Sequence, residues 1–325
     1  MICILGNIDD PYFNLAAEEY LLKNTDEEVF ILWRCDSTIV VGKHQNTLAE
    51  INYRYVKEND IKVARRLSGG GTVFHDKGNV NFTFIRNGEI GKLVDYKRHV
   101  TPVIDILKEM GINAQPGKKN EIFLEGKKIS GNAEHIYQSR ILHHGTLLFD
   151  SELDKLHNAI QATPGKYHDK AVQSYRSKVT NILPYLHEKI PVEEFMNHLF
   201  DGFINNTADA CQYHFSKSDL LSVNHLVQQK YNTWEWIYGY SPKYRFENRL
   251  RLEGREISMM LNVENGIIKS AAITGDFFTV HQKNLLADSL INQKHSESQI
   301  RKIIESALQN RLNVGMIEEI VEAFF

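Results

Sequence analysis

The sequence predicts an α+β (mixed α/β) protein with a large domain built on a central mixed β-sheet and a small domain after it. Three observations support this prediction. Short apolar segments of strand length recur through the first half of the chain, segments with helical periodicity separate them, and the pattern changes near the C-terminus. A chain of 325 residues can form one large domain or two smaller ones. We place the boundary at Tyr240–Ser241–Pro242, which gives domains of residues 1–240 and 241–325.

The large domain is predicted to contain seven strands and a hairpin. A helix is expected over residues 14–23, with Asn14 as its N-cap, and a second, amphipathic helix over residues 98–111. From about residue 151 to 232 the pattern is mostly helical. The hairpin IFLEGKKIS is expected to turn at Glu125–Gly126. The seven strands are ICIL, VFILWR, TIVVG, IKVARR, TVFHD, VNFTFI and ILHHGTLLF.

The small domain begins after the aromatic cluster NTWEWIYGYSP. Three segments alternate between apolar and polar residues, namely YRFENRLRL, EISMMLNVE and GIIKSAAITG. This period of two predicts an antiparallel meander with one face buried. Two helices are expected to end the chain.

Composition excludes several classes of function. A net charge of −3 provides no overall basic field, so we expect no nucleic-acid partner. No run approaches the roughly 18 apolar residues of a membrane span, and the segment MICILGNIDD becomes acidic too early for a signal peptide. Cys3, Cys35 and Cys211 have unrelated spacings, which suit free thiols and neither disulfides nor a zinc site. These features predict a cytoplasmic protein.

The segment RRLSGGGTVFH, residues 65–75, combines bare backbone with positive charge. Successive glycines let backbone N–H groups form a concave nest for phosphate. Arg65 or Arg66 could add a bidentate contact to phosphate oxygens. The motifs GxxxxGK[ST] and GxGxxG are both absent. From the residues alone, a tight turn between two strands with surface arginines remains an equal alternative.

Two further segments contain candidate polar groups. In GKKISGNAEH, Lys127 and Lys128 should face opposite sides of a strand, so that one faces solvent and the other faces whatever covers the sheet. Two surface lysines in a hairpin are the alternative. In HHGTLLF, His143 and His144 also point oppositely and cannot chelate one ion side by side. We expect hydrogen-bonding or packing roles for them and for His75.

Together these motifs resemble the lipoate–protein ligases. The segments RRLSGGGTVFHDKGNVNFTF, NEIFLEGKKISGNAEH, ILHHGTLLFD and YRSKVTNI match that family in order and spacing, and PYFNLAAEEYLL and LWRCDSTIVVGKHQN resemble its N-terminal segments. The resemblance covers residues 1–240 and continues more weakly to the C-terminus. It implies a catalytic lipoate- and ATP-binding domain, with a mixed sheet of the biotin/lipoate ligase type, and a C-terminal accessory domain.

The resemblance also implies a two-step reaction for lipoate salvage. Lipoate reacts with ATP, in the presence of Mg²⁺, to give lipoyl-AMP and pyrophosphate. The lipoyl group then passes to the ε-amino group of a lysine. The acceptors would be lipoyl domains of 2-oxoacid dehydrogenase E2 subunits or the glycine cleavage H protein. Octanoate is a possible alternative to lipoate.

The same resemblance assigns roles to individual residues. Lys128 is the expected catalytic lysine, in contact with both lipoate and the α-phosphate. The expected lipoate contacts also include Trp33, His144 and Gly145. No metal ligand is predicted, because Asn120–Glu121 stands where many ligases have Asn–Asp; His135 similarly replaces an arginine found in some ligases. The expected contacts with ATP and lipoyl-AMP are Arg66, Ser68, Gly69, Gly70, Gly71, Thr72, Val73, Phe74, Asn79 and Lys128.

Two other functions remain open. A cysteine-dependent octanoyl- or lipoyl-transferase without ATP would need a thiol near the acyl carbonyl. No cysteine lies between Arg66 and Phe149, which leaves Cys35 as the marginal candidate. A non-catalytic homologue that only binds lipoyl domains should have lost Lys128 or the glycines, and both are present. Biotin ligase is a more distant relative whose glycine–arginine motif differs from RRLSGGG.

Overall fold

The computed structural model describes residues 1–88, 95–118, 120–160, 165–174, 177–308 and 312–325. The predicted α+β class is confirmed by a large mixed sheet and by a C-terminal region with a sheet and helices. The first two residues of the motif YRSKVTNI, Tyr175 and Arg176, lie outside the described residues.

The strands and helices are short and alternate through most of the chain. The strands are β1 (Ile2–Leu5), β2 (Val29–Trp33), β3 (Thr38–Val41), β4 (Lys62–Arg65), β5 (Val73–His75), β6 (Asn79–Asn87), β7 (Gln115–Pro116), β8 (Glu121–Leu124), β9 (Lys127–Tyr137), β10 (Arg140–Leu148), β11 (Tyr167–Asp169), β12 (Cys211–Gln212), β13 (Tyr244–Leu252), β14 (Arg255–Glu264) and β15 (Ile267–Gly275). The helices are α1 (Pro11–Asn24), α2 (Thr47–Glu50), α3 (Tyr53–Glu58), α4 (Tyr96–Glu109), α5 (Leu153–Ala159), α6 (Val192–Asn205), α7 (Lys217–Leu226), α8 (Val280–Leu290), α9 (Glu297–Leu308) and α10 (Val314–Glu322).

Contacts within the chain define two compact units. The first unit contains residues 1–43, 61–157 and 174–233, and the second contains residues 44–60, 158–173 and 234–325. These units describe contacts and not evolutionary domains, so the boundary after residue 240 stays a prediction.

An eight-stranded sheet forms the centre of the first unit, in the order β12-β1-β2-β6-β10-β9-β8-β7. β1 pairs in parallel with β12 and β2, and the other neighbours are antiparallel. One face is covered by α4 and α6, whose apolar side chains join Phe30 and Phe84 in the core. The predicted amphipathic stripe of α4 is confirmed, since Val100, Val103 and Leu107 are buried. The resulting rigid sheet positions β9 and β10.

A separate three-stranded sheet in the same unit carries the glycine segment. Its order is β4-β3-β5, with β3 parallel to β4 and antiparallel to β5. The two outer strands are those that flank the three glycines. The strand–loop–strand arrangement expected from the sequence is therefore confirmed.

The predicted N-cap of the first helix is wrong. The helix begins at Pro11, and the Asp10 carboxylate accepts hydrogen bonds from the backbone N–H groups of Tyr12 (2.8 Å) and Phe13 (3.0 Å). Proline suits the first helical position because its missing N–H would have no partner there. The Asn14 side chain instead donates to the carbonyl oxygen atoms of Ile8 and Arg34.

The region from 151 to 232 is less helical than predicted. It contains α5, α6, α7 and a π-helical turn, Val227–Tyr231, that continues α7, but residues 177–191 form only the single helical turn Leu183–Tyr185. The backbone N–H groups of Ile182 and Leu183 donate to the carbonyl oxygen atoms of Leu148 and Phe149, at 2.7 and 3.0 Å. The segment follows the end of β10 because these long-range bonds replace those of a helix.

The second unit contains the predicted meander. β13, β14 and β15 are antiparallel neighbours, and β11 extends the sheet at the edge of β13. Three helices end the chain where two were expected. The chain turns between Leu290 and Glu297, where Asn292 has a left-handed φ of 63° and separates α8 from α9. None of the described helices combines the length and apolar character needed to cross a bilayer.

The Asp10 cap gives a test of the corrected helix start. Asp10→Ala should lower the free energy of unfolding by about 1 kcal/mol, because two backbone donors lose their acceptor. Asp10→Asn retains a capping oxygen and should change the free energy of unfolding by only about a few tenths of a kcal/mol. Urea denaturation measures both variants. Equal stabilities of the alanine variant and the unmodified protein would contradict the cap.

Candidate active site

A cavity of about 180 Å³ in the first unit brings the glycine segment together with β9 and β10. Nine of the residues predicted from the sequence line it: Trp33, Arg66, Gly70, Gly71, Thr72, Val73, Lys128, His144 and Gly145. Four predicted residues are not part of its lining: Ser68, Gly69, Phe74 and Asn79. The structure thus places most of the proposed site around one cavity.

Arg66 is buried behind the glycine segment. Its Nη2 donates to the carbonyl oxygen atoms of Gly69 (2.6 Å) and Gly71 (2.7 Å), and its Nη1 donates to Val40 (3.1 Å). Its Nε donates to the Ser68 hydroxyl at 2.9 Å. Burial lowers the pKa of the Arg66 guanidinium to about 10, so it remains charged at neutral pH. Three of its five N–H groups thus hold the loop, and a fourth connects it to β3.

The loop conformation exposes backbone donors on the side away from Arg66. In a trans peptide, the carbonyl and the following N–H point in opposite directions. Because the Gly69 carbonyl faces the guanidinium, the N–H of Gly70 points away from it. Gly70 has a φ of +89°, which an L-residue rarely adopts. The N–H of Thr72 also points away from Arg66, but it donates to the Ser174 hydroxyl at 2.8 Å. The Gly70 N–H is therefore the donor that this glycine nest directs toward an anion.

A buried chain of polar side chains connects the loop with α1 and β6. The Ser68 hydroxyl lies 2.6 Å from Nε2 of His144, and Nδ1 of His144 lies 3.0 Å from the Glu18 carboxylate. Thr83 donates to Glu18 at 2.6 Å, and Nε1 of Trp33 donates to Thr83 at 3.2 Å. Each polar group thus has a partner, which offsets the cost of its burial. This chain fixes the orientations of Trp33 and His144 at the cavity wall.

Lys128 and Lys127 differ as expected for adjacent strand residues. Lys128 lines the cavity, whereas Lys127 is exposed and outside its lining. Partial burial lowers the pKa of Lys128, and the charge of Glu121 opposes that change. A Cβ on Gly131 would lie 3.1 Å from the lysine Nζ, so the glycine gives this side chain room. The geometry leaves an ammonium group at the cavity wall.

The two histidines of β10 face opposite sides of the sheet, as predicted. His144 faces Glu18 of α1, whereas His143 lies against His99 of α4 with their ring centroids 4.6 Å apart. His75 lines the cavity, and burial lowers its pKa to about 3, so its ring is neutral. Each histidine therefore contacts protein groups, consistent with the expected packing and hydrogen-bonding roles.

None of the three cysteines lines the cavity. Cys35 is fully buried, with its Sγ 3.9 Å from Nδ1 of His75. Burial strongly raises the pKa of the Cys35 thiol, which disfavours the nucleophilic thiolate. Cys3 is also buried, and Cys211 is exposed on the edge strand β12.

Comparison with known proteins identifies the relationships of this chain. Residues 10–204 match the model of the lipoyl protein ligase A/B catalytic domain, and residues 241–324 match that of the bacterial lipoate protein ligase C-terminus. The chain belongs to the lipoate–protein ligase family. The lipoate-protein ligase LplJ of Bacillus subtilis (strain 168) is 38% identical over 303 residues, which cover 92% of each chain. The resemblance inferred from the motifs is confirmed, and the chain is a ligase.

Solved structures of related ligases share this fold. The crystal structure of P. falciparum LipL1 in complex with lipoate is 26% identical, covers 98% of both chains and has a TM-score of 0.63. A crystal structure of lipoate-protein ligase A bound with ATP is 25% identical and covers 74% of this chain and 98% of that chain, also with a TM-score of 0.63.

Several residues that line the cavity of this ligase were missed from the sequence. Asn81 lines the cavity, whereas the predicted Asn79 lies two residues before it on β6 and donates to the Asn81 side chain at 3.0 Å. Strand alternation alone makes Asn79 and Asn81 equivalent candidates, since both point to one face. The other missed residues are Leu15, Val40, His75, Asn120, Glu121, Gly131, Asn132, Ala133, Thr146, Ser174 and Ser177. Leu15 comes from α1, so only the tertiary structure brings it here.

Gly145 has a steric role that gives a second test. A Cβ at this position would lie 2.1 Å from Oδ1 of Asn132 and 2.4 Å from Phe82. Gly145→Ala should therefore destabilise the ligase by about 1–3 kcal/mol through overpacking. Gly69→Ala is the matched control, because a Cβ there meets nothing within 4 Å. Urea denaturation of both variants measures the difference, and equal stabilities would contradict the steric assignment.

Proposed function

We propose that this ligase activates lipoate with ATP and then transfers the lipoyl group to a protein lysine. The observation that supports this most directly is the position of Lys128, which lines the same cavity as the glycine nest. The match with LplJ and the ATP-bound and lipoate-bound relatives support this proposal. The nine predicted residues that line the cavity are proposed as the binding residues, and Ser68 and Gly69 as residues that shape the loop.

The first step joins two anions, so it requires fixed positive charge and N–H donors. A carboxylate oxygen of lipoate attacks the α-phosphorus of ATP, the bond from that phosphorus to the bridging oxygen breaks, and pyrophosphate leaves. Lys128 would contact the carboxylate and the α-phosphate together and so reduce their repulsion. The glycine nest would bind phosphate oxygens, with its shape held by Arg66. Positioning of the two reactants contributes much of the remaining acceleration.

The lipoyl tail needs an apolar surface, and α1 with two strands supplies one. Leu15, Trp33 and Val40 line the cavity together. The Trp33 indole is fixed by its hydrogen bond to Thr83, so it presents a constant apolar surface at the cavity. We assign the acyl chain to this wall. An octanoyl chain has the same apolar character, which makes octanoate a second expected substrate.

The second step is an aminolysis. The neutral ε-amino group of an acceptor lysine attacks the carbonyl carbon of lipoyl-AMP. The bond between that carbon and the phosphate oxygen breaks, AMP leaves, and the new amide loses a proton. We propose lipoyl domains of 2-oxoacid dehydrogenase E2 subunits and the glycine cleavage H protein as acceptors. The chemistry supports them because they present a lysine to the bound adenylate.

Glu121 is the residue that suits the expected Mg²⁺ ion. Glu121 lines the cavity beside Asn120, and carboxylate and amide oxygen atoms are ligands that suit Mg²⁺. We propose that Glu121 holds the ion together with phosphate oxygen atoms of ATP. When bound, the ion would neutralise phosphate charge.

Lys128 provides the direct test of the proposed function. Lys128→Ala should reduce lipoate-dependent exchange of labelled pyrophosphate into ATP by about 100-fold or more, because the charge between the two anions is removed. Lys127→Ala is the control on the exposed side of the same strand and should change the rate less than about threefold.

The outcomes separate the alternatives. Full exchange activity in Lys128→Ala would contradict the role of this lysine. Absence of exchange in the unmodified ligase, with acyl transfer from an acylated donor protein, would favour the transferase. Absence of both activities with retained binding to lipoyl domains would favour a non-catalytic homologue.

A cysteine variant tests the transferase alternative independently. Cys35→Ala should retain pyrophosphate exchange and lipoylation of an acceptor domain within about threefold, since a buried thiol with a raised pKa is a poor nucleophile. A loss of transfer with intact exchange would instead place Cys35 in the acyl transfer step.

A further inference from the structure

A buried polar cluster lies on the α4 side of the sheet, behind the cavity. Nδ1 of His143 is 2.9 Å from Oε1 of Glu134, and Nδ1 of His99 is 3.3 Å from the same oxygen. The side chains of the two histidines are at most 1% exposed, and that of Glu134 is 4% exposed. Burial of such polar groups is costly unless they are hydrogen-bonded or paired, so the partners of each group decide what the cluster can do.

The cluster reaches the cavity through Asn132. Nε2 of His143 is 3.2 Å from Oδ1 of Asn132, and Nδ2 of Asn132 donates to the backbone carbonyl of Asn120 at 3.1 Å. The Asn120 side chain donates in return to the carbonyl oxygen of Asn132. Asn120, its neighbour Glu121 and Asn132 all line the cavity. The amide therefore fastens the start of β8 to β9 at the cavity wall.

The hydrogen bonds fix the orientation of the amide and the protonation of His143. The Asn120 carbonyl only accepts, so it must face the NH₂ group of Asn132. Oδ1 of Asn132 then faces His143, and Nε2 of that ring must carry a proton. A neutral ring with this proton would present the lone pair of Nδ1 to Glu134. Retention of this contact requires a second proton, shared between Nδ1 of His143 and Oε1 of Glu134.

The electrostatics of the pair favour a shared proton. Burial raises the pKa of Glu134, but hydrogen bonds from His143 and His99 outweigh it and lower the pKa below its ordinary value. Burial also lowers the pKa of His143, which opposes a charged ring. The short contact favours the protonated His143 ring. An unprotonated Nδ1 would place its lone pair 2.9 Å from a carboxylate oxygen, and the two would repel each other. Glu134 thus compensates the charge that His143 needs as a double donor.

We propose that Glu134 and His143 are positioning residues that, through the Asn132 amide, hold Asn120 and Glu121 at the wall of the catalytic cavity. This inference rests on the proposed function of that cavity. Glu134 keeps Nε2 of His143 protonated, His143 orients Asn132, and Asn132 holds the backbone of Asn120. Gly145 provides the space that the Asn132 side chain occupies.

The same three side chains are also of the types that bind metal ions, and their possible ligand atoms lie within 4.8 Å of one another. The ring geometry opposes a metal site. Nδ1 of His99 faces the carbonyl oxygen of Asp95 at 2.9 Å and must donate to it, so Nε2 is the atom of that ring that could bind a metal. The rings of His99 and His143 are nearly parallel, at 17°, so lone pairs in their planes cannot meet at one ion.

Four variants of the ligase test the proposal, with Glu134→Gln as the conservative rescue. A glutamine can donate from its amide to Nδ1 of His143 and so retain the proton on Nε2. We expect Glu134→Ala and Asn132→Ala each to raise the KM for MgATP in pyrophosphate exchange about tenfold, with the KM for lipoate changed less than about threefold. The double variant should be no worse than either single one. Glu134→Gln should restore the KM to within about threefold of the unmodified ligase.

Histidine ¹⁵N chemical shifts provide a readout that does not depend on activity. We expect both ring nitrogen atoms of His143 to be protonated in the unmodified ligase and only Nε2 in Glu134→Gln. An unprotonated Nε2 in either protein would overturn the proposal, as would additive effects of the two alanine variants. The proposal would also be overturned if the unmodified ligase bound one equivalent of divalent metal and Glu134→Gln did not. Absence of exchange in the unmodified ligase would reject the proposed function. The chemical shifts would still show whether Glu134 keeps Nε2 of His143 protonated.

Discussion

The buried guanidinium of Arg66 is the interaction on which the site depends. Isolated charge is costly to bury, and here it is compensated by four hydrogen bonds to Val40, Ser68, Gly69 and Gly71. Because these acceptors belong to one strand and one loop, the guanidinium imposes the shape of the glycine segment. The loop would otherwise be the most mobile part of the site, since three consecutive glycines have large conformational freedom.

Two polar networks support the cavity from opposite faces of the large sheet. On the α1 side, Glu18 and His144 hold Ser68, which in turn contacts Arg66. On the α4 side, Glu134 and His143 hold Asn132. Adjacent histidines in one strand serve both networks because successive side chains point to opposite faces. The apolar core that surrounds the networks strengthens their hydrogen bonds and makes an unpaired group costly.

Local patterns in the sequence predicted a large part of this arrangement. Strand alternation separated Lys127 from Lys128, and the amphipathic stripe located α4. Local patterns were insufficient where a competing local signal or a long-range contact decided the outcome. The Asp10–Pro11 pair starts α1 ahead of Asn14, and residues 177–191 follow the end of β10 through bonds to distant carbonyl oxygen atoms. Leu15 and Asn132 reach the cavity only through the packing of α1 and the pairing of β8 with β9, which no local spacing reveals.

The central claim is that the cavity forms an acyl-adenylate before any acceptor protein is present. Its most direct test is mass spectrometry of the ligase after brief incubation with lipoate and MgATP and rapid removal of free ligands. Our account predicts about one lipoyl-AMP per chain, which disappears with formation of an amide when a lipoyl domain is added. Absence of adenylate, while a lipoylated donor protein still passes its acyl group to that domain, would contradict the account.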